Sequence, residues 1–136
     1  MKFSETGGLI FKASEGAGAL PVANVIVRIK GSEEENRFVV YSVLTDIDGM
    51  TPRLLLPAPK SEYSETPRSS EAGYSLYDAE ISANGYYPKR IYGIPIFPNV
   101  DTVQNINMIP LSQNEPYKEY PRGNLNTVID EYQVLN

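Results

Sequence analysis

A chain of 136 residues with 41% apolar and 21% charged side chains has the material for one hydrophobic core, which excludes wholesale disorder and argues for a single folded unit. Its formal charge of −5 comes without a basic stripe, so there is no electrostatic footprint for nucleic acid or an anionic membrane surface. Cysteine and histidine are both absent, which removes disulfides, thiolate metal sites, serine triads and histidine-held zinc.

Residues 1–8 have neither the basic start nor the apolar run of a secretory signal, and no stretch approaches the roughly 20 apolar residues of a membrane helix. No membrane insertion is expected. A first strand is expected over residues 8–13, ending in the flexible loop Ser14-Glu15-Gly16-Ala17-Gly18. After Pro21, which fixes φ on entry, Ala23, Val25, Val27 and Ile29 recur at period two; this predicts a second strand over 23–30 with all four on one face. Glu33, Glu34 and Glu35 read as a solvated loop, and a third strand is expected over 37–45.

Thr45-Asp46-Ile47-Asp48-Gly49-Met50-Thr51 separates the apolar runs 38–44 and 54–56, and reads as the turn of a hairpin beside which the other strands stack. Gly49 can take the positive φ that such a turn needs, Asp46 can bond the backbone two residues on, and Thr45 can satisfy an orphan donor. Asp46-x-Asp48-Gly49 also resembles the start of a calcium loop. The fifth and twelfth positions counted from Asp46 are Met50 and Pro57, however, which supply no carboxylate, so no metal is expected.

Pro57-Ala58-Pro59 is expected to stop the fourth strand, because proline cannot donate to a ladder. Residues 60–73 lack any hydrophobic period and form a long loop, functional or open to proteases. Tyr77, Ala79, Ile81 and Ala83 resume the alternation as a fifth strand that turns at Asn84-Gly85 and leaves Glu80 facing water. A sixth strand is expected over 89–92 and a seventh over 103–111. Between them Ile94-Pro95-Ile96-Phe97-Pro98 reads as an edge or crossover. One sheet cannot hide this many aliphatic residues, so the elements predict a two-sheet antiparallel sandwich over residues 1–111. Residues 112–136 read as a linker followed by a short amphipathic helix, with Leu125, Val128, Ile129 and Tyr132 on one face.

The candidate chemistry is sparse. Lys12, Asn107 and Glu80 could be imagined as an isopeptide set, but Glu80 lies on the solvent side of its strand. No catalytic residue set and no cofactor are expected. Ten tyrosines are many for this length, and Tyr63, Tyr74, Tyr86, Tyr87 and Tyr92 lie in or beside loops. Flat rings with a hydroxyl suit sugar faces and protein interfaces, so these five are the candidate binding residues.

Ala19-Leu20-Pro21-Val22-Ala23-Asn24-Val25, Thr45-Asp46 with Asp48-Gly49, and the strand from Tyr77 to Ile81 followed by Gly85-Tyr86 together resemble the carboxypeptidase regulatory-like domain. Leu56-Pro57-Ala58-Pro59, Gly85-Tyr86-Tyr87-Pro88, Ile94-Pro95-Ile96-Phe97-Pro98 and Gln104-Asn105-Ile106-Asn107-Met108-Ile109-Pro110-Leu111 resemble a clostridial form of it, found at the N-terminal end of spore cortex-lytic enzymes. The resemblance covers about residues 6–111. It implies a seven-stranded Greek-key sandwich of the transthyretin or prealbumin type. It also implies a non-enzymatic recognition or scaffolding module in a spore or cell-wall lytic system, with a protein partner or a cell-wall polysaccharide as its target. A subunit of a phage-like tail is the structural alternative. The sequence leaves localisation and oligomeric state open.

Overall fold

The computed structural model of the chain describes residues 3–60 and 73–112. Residues 61–72 of the loop expected over 60–73, Tyr63 among them, and the expected helix through Leu125 and Tyr132 lie outside the described residues. Eight strands are formed: β1 (Glu5–Glu15), β2 (Leu20–Pro21), β3 (Ile26–Gly31), β4 (Val40–Leu44), β5 (Leu54–Ala58), β6 (Ser75–Ser82), β7 (Lys89–Ile96) and β8 (Asp101–Asn107). They make two four-stranded sheets. In the first, β1 is central, with β8 along one side and β5 and then β2 along the other. The second runs in the order β4-β3-β6-β7. The protein is therefore an all-β sandwich, with no helix among the described residues.

Alternation builds the core. Leu9, Phe11 and Ala13 of β1, Leu56 of β5 and Ile106 of β8 face Val27 and Ile29 of β3, Tyr77, Ala79 and Ile81 of β6, and Ile91, Ile94 and Ile96 of β7. Each buried aliphatic side chain contributes roughly 1.5 to 3 kcal/mol over its exposed state. Glu80 is exposed, as its parity requires.

The structure corrects several expectations. β4 belongs to the second sheet and β5 to the first, so residues 45–51 carry the chain between sheets and do not close a hairpin. Alternation dictates which face of a strand turns inward but says nothing about which strand lies alongside. β1 and β8 pair in parallel, from Gly8 opposite Asp101 to Ser14 opposite Asn107, whereas the other strand pairings are antiparallel. The intervening sandwich acts as the crossover that a parallel pair needs.

Ala23 is exposed, because Asn24 takes a φ of 62° and resets the parity; Val25 opens the buried series. Pro21 sits in the two-residue β2, apart from β3. Pro57 lies within β5, where an edge strand tolerates the missing N–H. Residues 89–92 and the proline-bearing segment after them form the single edge strand β7. Its register breaks opposite Asp78, where Gly93 adopts a φ of 67° and donates its N–H to Asp78 Oδ1 at 3.0 Å. This bulge lets Ile91 and Ile94, three residues apart, both face the core.

Candidate functional site

The 45–51 stretch uses its polar atoms on its own backbone and on both sheets. Asp46 Oδ1 accepts the N–H groups of Asp48 at 2.9 Å and Met50 at 3.0 Å. Gly49 has a φ of 77°, and a Cβ there would lie 2.3 Å from the carbonyl oxygen of Ala13. Thr45 Oγ1 accepts from Val25 N–H at 2.9 Å and donates to the Val22 carbonyl at 2.8 Å, while Thr51 Oγ1 accepts from Phe11 N–H at 2.9 Å. One threonine is tied to the entrance of β3 and the other to β1, so the stretch staples the sheets together. The two hydroxyls are engaged in that task, while the Asp46 carboxylate closes the turn itself.

The four candidate tyrosines among the described residues lie at different places along the sandwich. Tyr74 packs edge-on against Phe97, with centroids 5.5 Å apart, at the end of the sandwich where β6 begins. Tyr86 and Tyr87 are half-buried beyond the other end of β6, roughly 25 Å away for a strand of this length. Tyr86 Oη donates to Glu15, and that bond, followed by burial, raises its pKa. Tyr92 stands exposed at the β7 bulge, and Tyr63 lies outside the described residues. The sequence pattern counts rings near loops but cannot say that the loops sit at opposite poles.

Three side chains join the sheets in a way that the strand pattern of the sequence does not show. Lys89 is buried, and its Nζ donates to the Asn107 carbonyl at 2.9 Å; desolvation lowers its pKa to about 8. Its parity with Ile91 is the signal that could have revealed it, since both occupy one face of β7. At the opposite pole Tyr77 Oη and Ser75 Oγ each donate to the Pro57 carbonyl at 2.7 Å. Burial is the main cause of the raised pKa of Tyr77.

The three glutamates are not uniformly a solvated loop. Glu33 Oε1 accepts from Leu76 N–H at 2.9 Å, and the buried Asn36 donates to the Leu76 carbonyl and accepts from Glu33 N–H. Glu34 and Glu35 are exposed. The imagined isopeptide set is dispersed: Lys12 and Asn107 belong to the first sheet, and Glu80 faces water on the second. Among the described residues no group of three or more acidic side chains is placed to hold a metal.

A different surface carries several of the exposed apolar groups. Phe38 is 75% exposed, Val40 59%, Leu44 53% and Ile47 83%, in and beside the edge strand β4, with Ile26 exposed on the neighbouring strand. Single exposed hydrophobic residues are ordinary, but several of them along one unpaired sheet edge suit an interaction surface.

Two solved structures share this fold. The TIE protein of Bacillus anthracis superposes with a TM-score of 0.52 at 14% identity, over 79% of this chain and 17% of that one. The 3-chlorocatechol 1,2-dioxygenase of Rhodococcus opacus 1CP superposes with a TM-score of 0.51 at 13% identity, over 82% of this chain and 63% of that one. At such identities the likeness is one of fold, and the chain spans less than two thirds of either neighbour. No family model and no curated protein matches the sequence.

Proposed function

We propose that the domain is a non-catalytic recognition or scaffolding module of the carboxypeptidase regulatory-like, transthyretin-like kind, accessory to a bacterial spore or cell-wall lytic system. The observation that carries the recognition role is the line Phe38, Val40, Leu44 and Ile47, exposed along an uncharged edge strand. Such a surface fits a protein partner better than a sugar, because it offers backbone hydrogen bonds and aliphatic contacts. The spore or wall setting rests on the sequence resemblance alone.

The reading is tested by adding the purified chain to a cortex hydrolase acting on insoluble spore cortex. Sugar release should rise when the chain is present, be lost with Val40→Lys, and be nil with the chain by itself. Release by the chain alone, abolished by one carboxylate substitution, would overturn the non-catalytic reading. Sedimentation of the chain with peptidoglycan, lost on Tyr92→Ala and retained with Val40→Lys, would replace it with direct polysaccharide binding.

A further inference from the structure

We infer that β4 is a self-pairing edge, through which two copies of the chain join their second sheets into one continuous sheet. The inference rests on the reading of β4 as the interaction surface and names its occupant. The hydrogen bonds from Gly31 N–H to the Val39 carbonyl and from Thr45 N–H to the Val25 carbonyl, both 3.1 Å, show that the odd-numbered residues of this stretch face β3. The N–H and C=O groups of Val40, Ser42 and Leu44 therefore point away from the sheet, and among the described residues β4 pairs with β3 alone.

The remaining edges carry features that discourage pairing. β7 contains Pro95 and a bulge, β5 contains Pro57, and β2 ends on Pro21. β8 leads with Asp101, held to Arg53 at 2.7 Å, and Tyr86 bridges Pro110 just beyond its far end. Prolines, bulges and charges are the devices by which sheets avoid edge-to-edge contact. Val40-Tyr41-Ser42-Val43-Leu44 has none of them.

The occupant follows from the order of residues along the edge. A two-fold axis at Ser42 sets Ser42 opposite its twin and Val40 opposite Leu44 of the second copy, so the outward-pointing groups meet as hydrogen-bonded pairs. Beyond the strand ends, the same axis sets the turn that holds Phe38 against the turn that holds Ile47 of the second copy, and these are the two most exposed apolar residues of the surface. Arg37 stands on the first of these turns and Asp48 on the second, so opposite charges share each end of the interface. Apolar groups meet apolar groups and opposite charges meet, which a second copy of this chain satisfies without any further partner.

Light scattering of the full chain over a concentration series should show 15.1 kDa rising to twice that value. Val40→Lys should hold it at the monomer mass with an unchanged circular dichroism spectrum. Arg37→Asp and Asp48→Arg should each weaken association by roughly tenfold, and the double exchange should restore it. The chain has no cysteine, so Ser42→Cys should form an intermolecular disulfide under mild oxidation, while Glu80→Cys, outward on a central strand, should not. A chain that stays monomeric at every concentration overturns the inference, as does equal crosslinking at both positions. If the monomer still stimulates the hydrolase and Val40→Lys removes that stimulation, β4 recognises a different protein and only self-pairing falls. A dimer without stimulation upholds self-pairing and removes the accessory role.

Discussion

The two poles of the sandwich hold the sheets together by different chemistry. At one, the neutral hydroxyls of Tyr77 and Ser75 share the Pro57 carbonyl; at the other, the Lys89 ammonium reaches the Asn107 carbonyl from a buried position. A neutral donor joins two sheets at little desolvation cost, whereas a cation in the same role makes stability depend on pH.

The largest expected effect is at the neutral pole. Tyr77→Ala removes a buried ring as well as one donor, and should cost about 3 to 5 kcal/mol in denaturant titration, equally at pH 6 and pH 9. A loss below about 1 kcal/mol would mean that the pole is held mainly by other contacts.

Next comes the pH dependence of the charged pole. Below pH 8 the folded and unfolded states both keep the Lys89 proton, so the burial penalty is constant. Between about 8 and the ordinary lysine value of 10.5 the unfolded chain binds a proton that the folded one has released, and stability rises with pH. The rise should be on the order of 2 to 3 kcal/mol. Above about pH 10 it should reverse, since Tyr77 and Tyr86, with raised values, hold protons longer in the folded state. Lys89→Met should flatten the rise; melting temperatures from pH 7 to 10 that match the natural chain would show that Lys89 does not titrate across this window.

Smaller still is Tyr77→Phe, which keeps the ring and leaves Ser75 on the Pro57 carbonyl. It should cost about 1 kcal/mol. The smallest effect belongs to Tyr92→Ala at the exposed bulge, within about 0.5 kcal/mol in the same titration. A larger change there would place Tyr92 in a contact made by the fold itself.

Much of the strand pattern was legible because period two is a local property. Val25, Val27 and Ile29, and again Tyr77, Ala79 and Ile81, announce their buried faces without reference to any partner. The turn chemistry of Thr45, Asp46 and Gly49 was legible for the same reason, since each acts within a few residues or through one hydroxyl. The passage from β4 to β5 across sheets was not, because a strand's partner is decided by everything that competes for its edge. The parallel pairing of β1 with β8 joins residues some ninety positions apart, where local pattern carries no information. Lys89 stayed hidden behind its charge although its position beside Ile91 places it inward. That Tyr74 lies at one end of β6 and Tyr86 and Tyr87 beyond the other was not legible either, and the exposed edge at β4 was concealed because Phe38, Val40 and Leu44 look like core residues in sequence.

The parallel register of β1 and β8 has a mechanical consequence. Tension applied between residues 5 and 107 pulls the head of β1 and the tail of β8 in opposite directions along the strand axis, so the ladder from Gly8–Asp101 to Ser14–Asn107 is loaded in shear. All its hydrogen bonds then share the force and must fail together, whereas pulling across an antiparallel edge such as β6–β7 opens them one pair at a time. Single-molecule stretching through these two attachment geometries should give a clearly higher rupture force for the first; equal forces would mean that the terminal pair is not the mechanical clamp. A module built this way can stay folded while it transmits load between whatever is anchored at its two poles.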